Sequence, residues 1–170
     1  MIRQARFLEE GCCYYVESKG FEGRDIFVHA IDFQYYLRLV KRFKMKMNVS
    51  IYGFCLLPKA ACLIVHPQED RLSMFMQMIN QNYALYFNTH HERKDRVWAD
   101  RFKSLPIYTD QDLFECVKAV EFQPVKEGLA QSSVEYKWSS CTYRVLGGNS
   151  VVDVRVPAFD IKRQTLNGRI

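Results

Sequence analysis

The sequence predicts an α+β domain of ferredoxin-like plan, an antiparallel sheet with helices packed on one face, followed by a C-terminal extension. Three observations predict it. β-rich runs and amphipathic helical stretches follow one another as strand, helix, strand, strand, helix, strand. The second and third strands are joined at a tight turn, Leu57-Pro58-Lys59, which makes them a hairpin. The chain has 170 residues, 48% hydrophobic and 14% aromatic, enough to build one core and too apolar for disorder over most of its length.

In order, residues 1–11 are a polar lead-in, and Cys12 to Ser18 (CCYYVES) is a first strand ending at Lys19-Gly20. Phe21 to His29 carries two glycines and mixed charges and reads as a loop. Asp32 is placed as the N-cap of a helix whose apolar face is Phe33, Tyr36, Leu37, Val40 and Phe43, running to about Lys46. Its other face carries Arg38, Lys41, Arg42, Lys44 and Lys46, a charge run that is either a solvated face or a binding surface. Val49 to Leu57 and Ala60 to His66 are the second and third strands. Leu72, Phe75, Met76, Ile79, Tyr83, Tyr86 and Phe87 mark a second helix, its methionines and aromatics at core spacing. His90 to Asp100 is a charged loop, with His90 and His91 expected in solvent. Arg101 to Tyr108 is a fourth strand whose Pro106 suits an edge. Asp110 caps a third helix with Leu113, Phe114, Val117 and Val120 inward, and Pro124 stops it. Tyr136 to Ser140 begins a short turn or helix, and Val151 to Val156 is a terminal strand or arm. The domain boundary falls near 146, giving a 1–146 body and a 147–170 extension.

The formal charge of +5 permits a polyanionic partner without requiring one. No stretch approaches the roughly 20 apolar residues of a membrane span, and no signal peptide opens the chain, so a cytoplasmic protein with no membrane partner is expected. The six cysteines, Cys12, Cys13, Cys55, Cys62, Cys116 and Cys141, include no C-x-x-C pair and read as reduced, buried thiols.

Four stretches carry a family resemblance. They are IYGFCLLPKAACLIV (51–65), the segment from Tyr83 ending RVWADRFKS at Ser104, EFQPVKEGL (121–129) and YKWSS (136–140). Trp-x-x-Arg-Phe-Lys-Ser, then x-Pro-Val-x-x-Gly-Leu, then Trp-Ser-Ser is specific in combination. On these the chain resembles the REP-associated tyrosine transposases, a branch of the single-tyrosine HUH (IS200-like) transposase family, over roughly Cys12 to Leu146. The resemblance implies a mobile-element protein that transposes DNA as a homodimer. Two histidines in Pro-Asn-His-x-His would hold a divalent metal, Mg or Mn. A tyrosine on the helix before Asn-Pro-Val would attack a phosphate of single-stranded DNA and form a covalent intermediate. The positions implied for these groups are filled here by Ala60, Cys62, Ala119 and Gln123, with Lys59 where the turn asparagine belongs. No catalytic constellation is intact, no metal site remains, and no cofactor is expected.

Cys62 and His66, four apart on a strand, lie about 13 Å apart, too far for one ion, so a buried thiol is expected at Cys62. Lys59 beside the former centre either holds a phosphate or is simply solvated. The stronger signal is the loop cations Arg93, Lys94, Arg96, Arg101 and Lys103 around Trp98, the composition for contacting a DNA backbone and stacking an unpaired base. For Trp98 a core anchor is the equal alternative. Lys162, Arg163 and Arg169 form a candidate basic arm. The sequence therefore points to a catalytically inactive binder of single-stranded or hairpin DNA. The alternatives are a residual nuclease built around Cys62, Gln123, Glu121 and a loop histidine, and a decayed protein-interaction module.

Overall fold

The computed structural model describes residues 11–69, 71–148 and 151–153. Its elements are β1 (Cys13–Lys19), α1 (Ala30–Met47), β2 (Ser50–Leu57), β3 (Ala60–His66), α2 (Leu72–His90), β4 (Lys103–Ile107), α3 (Asp110–Lys126) and α4 (Ser140–Leu146). The strands form one antiparallel sheet in the order β2-β3-β1-β4, the ferredoxin-like order. Arg101 and Phe102 precede β4 as irregular chain.

The sheet is covered on both sides. Tyr14 and Val16 of β1, Phe54 and Leu56 of β2, and Ala61, Leu63 and Val65 of β3 pack against α1 and α2. The alternate residues, Tyr52, Cys55, Leu57, Cys62 and Ile64, meet Leu113, Val117 and Val120 of α3. The two helices of the βαββαβ plan share one face as expected. The third helix, which that plan does not contain, takes the other face, so the one-face expectation needs correcting for α3. The reason is visible in β2 and β3, which are almost wholly buried and therefore need cover on both sides.

Helix ends differ from the sequence reading in four places. His29, not Asp32, is the N-cap of α1; Asp32 sits three residues in and accepts hydrogen bonds from the backbone N–H groups of His29 (2.8 Å) and Val28 (2.9 Å). The second helix continues through His90, with His91 as its C-cap. Thr109 caps α3, its hydroxyl accepting from Asp112 N–H, and Asp110 is the first helical residue. Pro124 does not stop α3, which reaches Lys126. The actual stop is Gly128 (φ 69°): Gly128 N–H donates to Val125 C=O and Leu129 N–H to Pro124 C=O, a Schellman motif.

The chain after α4 returns to the body. Val151 and Val152 are buried in the α1/α2 core, and Asp153 brackets Ile51, accepting from its N–H and donating to its C=O. Residues 154–170, including the rest of the expected arm with Lys162, Arg163 and Arg169, lie outside the described residues.

Candidate nucleic-acid interface

The positions implied for catalysis lie on the α3 face of β3. Cys62 is completely buried and pairs in register with Glu17 of β1. Two residues earlier on β1, Tyr15 points to the same face, and its hydroxyl lies 3.5 Å from the Cys62 sulfur. The Gln123 side chain on α3 hydrogen-bonds to both, while its Oε1 is buried without a partner. Burial pushes the Cys62 thiol up to about 11, against the opposing hydrogen bonds of Tyr15 and Gln123. Burial, followed by the nearby Cys62, also raises the Tyr15 phenol above its usual range. Both groups are therefore neutral near pH 7, the wrong state for a ligand or an attacking phenolate. Ala60 has no donor atom, and Ala119, one turn before Gln123, is exposed and has no hydroxyl. A neutral thiol and a phenol do not fit a hard divalent cation such as Mg or Mn, and the Gln123 amide oxygen alone is too few donors to hold one. Among the described residues no group of three or more His, Cys, Asp or Glu is placed to hold a metal.

The groups of a rearranged nuclease are not brought together either. Cys62 and Gln123 meet, but Glu121 is engaged elsewhere, accepting from Ser140 Oγ and from Arg144 Nε (3.1 Å) and Nη2 (2.9 Å). The loop histidine is on the opposite side of the sheet. His91 is not solvated as expected: only 14% of its side chain is exposed, and its Nε2 lies 3.0 Å from the wholly buried Asp32 carboxylate. Tyr86 donates to the same carboxylate, and His29 stacks on His91.

The candidate DNA-binding residues are gathered at one end of the sheet. Gly20 N–H donates to Lys59 C=O (2.8 Å), Ala99 N–H to Lys19 C=O (2.9 Å) and Phe21 N–H to Val97 C=O (2.9 Å). These bonds tie the β2–β3 turn and the 91–102 loop to the end of β1. Gly20 is required there, because a Cβ would stand 2.2 Å from Arg24 C=O. Lys59, Lys94, Arg96, Arg101 and Lys103 are exposed at this end, and Lys103 pairs in register with Glu17 on the α3 side. Arg93 is half-buried, its guanidinium over Phe87. Two further cations belong here that the motif reading missed, Lys19 and Arg24. Lys19 ends a strand next to a glycine, a signal visible in the sequence, whereas Arg24 arrives only through the fold of the Phe21–Gly23 turn.

Trp98 has the geometry of an anchor. Its indole N–H donates to Asn80 C=O (2.8 Å), and its ring lies against Tyr36 and Tyr83. On α1, Arg38 lies over Tyr35 and Arg42 over Phe43. Lys44 is turned inward, bonded to Asp153 (2.7 Å) and to Val151 C=O (2.8 Å).

The motifs that carry the resemblance are architectural in this chain. Pro124-Val125-x-x-Gly128-Leu129 is the Schellman stop of α3. Ser139 caps α4, and Ser140 Oγ bonds both backbone groups of Phe54. Trp138 stacks on Phe33, and its C=O accepts from Leu56 N–H, covering the β2 edge. Phe102 is buried in the α1/α2 core.

No family model matches the sequence, and no curated protein matches it. Among solved structures the chain is similar to a REP-associated tyrosine transposase bound to a REP hairpin, at 19% identity. That alignment covers 91% of this chain and 93% of the other, with a TM-score of 0.72. A structure described as a candidate transposase from Deinococcus radiodurans R1 aligns at 8% identity over 72% of this chain and 98% of the other, with a TM-score of 0.48. The first likeness establishes that the chain has the transposase fold; the second is too distant to carry an argument.

Proposed function

We propose that this protein binds single-stranded or hairpin DNA through the cationic end of its sheet, as a cytoplasmic homodimer, and performs no strand transfer. The observation that carries the reading is the convergence of Lys59, Lys19, Lys94, Arg96, Arg101 and Lys103 at one end of the sheet. This end adjoins Ala60 and Cys62, at the start of β3. Cations held on strand ends and a pinned loop can line up with successive phosphates, because the backbone bonds fix their spacing. The similar solved transposase is bound to a REP hairpin, which makes a hairpin the first DNA to try. The residues at the catalytic positions support binding without chemistry: a buried neutral thiol and two alanines offer no metal ligands and no nucleophile. Trp98 contributes by holding the loop, not by stacking on a base.

The test is fluorescence anisotropy of a labelled single-stranded hairpin across a salt series. With about 0.7 units of log–log slope per phosphate contact on single strands, four to six contacts give a slope of roughly −3 to −4. Failure to bind at low salt, or binding indifferent to salt, would remove the proposal and leave a protein-interaction role. Cys62→Ala should bind as the parent does; the rearranged-nuclease alternative requires it to abolish activity.

A further inference from the structure

We propose that Arg24, Arg93 and Arg96 form a phosphate-binding site that the chain closes on itself with the carboxylate of Asp95. The inference rests on the DNA-binding reading and adds to it a set of residues and a built-in competitor. The three arginines line one small pocket, together with Asp25, Asn88 and Val97, and Asp95 pairs with two of them beside it. One oxygen of Asp95 stands between two of them, 3.3 Å from Arg24 Nη1 and 3.8 Å from Arg93 Nη2, while Glu22 holds the other terminal nitrogen of Arg24 at 2.9 Å, so Asp95 alone bridges two of the arginines. The third, Arg96, is poised over the Phe21 ring at 5.4 Å, and Arg24 lies over the same ring at 5.9 Å.

Asp95 is not there by chance rotation of a free loop. Asn88 of α2 donates from Nδ2 to Asp95 C=O (2.9 Å), and Arg93 N–H donates to Asn88 C=O (2.8 Å), so the backbone at Asp95 and two residues before it is fixed to the helix. A carboxylate and a phosphate ask the same thing of a guanidinium, two anionic oxygens in the plane of its N–H fork. The site already holds an anion of its own, and the pairing is reachable: Arg24, Arg93 and Asp95 side chains are 46%, 32% and 61% exposed. Exposed pairs of this kind are weak, so a backbone phosphate, with neighbouring contacts at Lys94 and Lys19, displaces the carboxylate. Asp95 thereby lowers affinity for isolated phosphates and favours a ligand that engages several cations together.

The test compares the parent with Asp95→Asn, Glu92→Gln and the double variant Asp95→Asn/Arg24→Gln, by anisotropy on the same labelled hairpin over a salt series. Glu92 lies three residues earlier in the loop and takes no part in the pairing, so its variant changes net charge equally. Asp95→Asn should tighten binding about threefold to tenfold at low salt. Its salt slope should stay close to the parent's, because the same phosphate contacts form in both complexes. Glu92→Gln should gain at most about twofold, and adding Arg24→Gln should cancel the Asp95→Asn gain. Equal gains from Asp95→Asn and Glu92→Gln, or a gain that survives Arg24→Gln, would overturn the site while DNA binding stands. Absence of binding by both the parent and Asp95→Asn would overturn DNA binding and the site with it. Unchanged thermal midpoints establish that the variants are folded.

Discussion

Asp32→Asn removes a charge from the most heavily bonded buried carboxylate described in the chain, and its cost can be worked from the contacts. Asp32 is 0% exposed and accepts from Val28 N–H (2.9 Å), His29 N–H (2.8 Å), Tyr86 O–H (3.0 Å) and His91 Nε2 (3.0 Å). Asparagine keeps one acceptor oxygen and turns an N–H₂ toward the remaining donors, so about two of the four bonds are lost. Hydrogen bonds to charged groups contribute about 1.5–3 kcal/mol each, and breaking a buried pair costs about 3–5 kcal/mol, so a loss near 3 kcal/mol is expected at pH 7. Equilibrium urea unfolding, followed by circular dichroism, reads this directly. The pH dependence gives a second check. Burial by itself raises the Asp32 carboxyl, but hydrogen bonds from His29, His91, Val28 and Tyr86 outweigh it and hold the group below the usual carboxylate value. A depressed folded value means the stabilisation is present above the unfolded value, about 3.9, and is lost as pH falls through the folded one. The Asp32 contribution to the difference between parent and variant should therefore shrink as pH falls below about 4. A loss under about 1 kcal/mol at pH 7, or a difference that stays constant down to pH 3, would refute this account of the site.

Three other substitutions separate scaffold from surface. Gly128→Ala forces a Cβ into φ 69° at the stop of α3 and should lower stability by about 1 kcal/mol, read as a fall of a few degrees in thermal midpoint. Lys44→Met should destabilise the fold, because Lys44 holds Asp153 and Val151, yet leave hairpin affinity unchanged; Lys59→Ala should do the reverse, with a salt slope shallower by about 0.7.

What was legible in the sequence was mostly local. The order of elements, the β2–β3 hairpin and the amphipathic faces of α1 and α2 follow from periodicity and turn chemistry, which neighbouring residues decide. The second cover on the sheet is legible in the run Ala60 to Val65, which has no polar alternation, the pattern of a strand buried on both faces. Pro124 lies inside α3 despite the bond it removes, and the left-handed Gly128 is the better stop signal.

The site divides the same way. The residues at the positions that the resemblance implies for catalysis, Ala60, Cys62, Ala119 and Gln123, are a matter of identity and are readable directly. Tyr15 was not, since its place over Cys62 depends on the β1–β3 register, which joins residues 47 apart. His91 looked like a loop residue because its partner, Asp32, comes from a different helix 59 positions away. Arg24 looked like one charge among several until the Phe21–Gly23 turn brought it to Asp95. Trp98 could not be assigned from composition, because stacking and anchoring use the same residue; the bond to Asn80 C=O supports the anchor.

The most direct measurement incubates the purified protein with labelled hairpin DNA and manganese, then divides each sample between a native and a denaturing gel. The account predicts a shifted complex on the native gel and intact, unmodified DNA on the denaturing gel, with or without the metal. A metal-dependent cleavage product, or a protein–DNA adduct that survives denaturation, would contradict the claim that this transposase fold has kept its DNA surface and lost its chemistry.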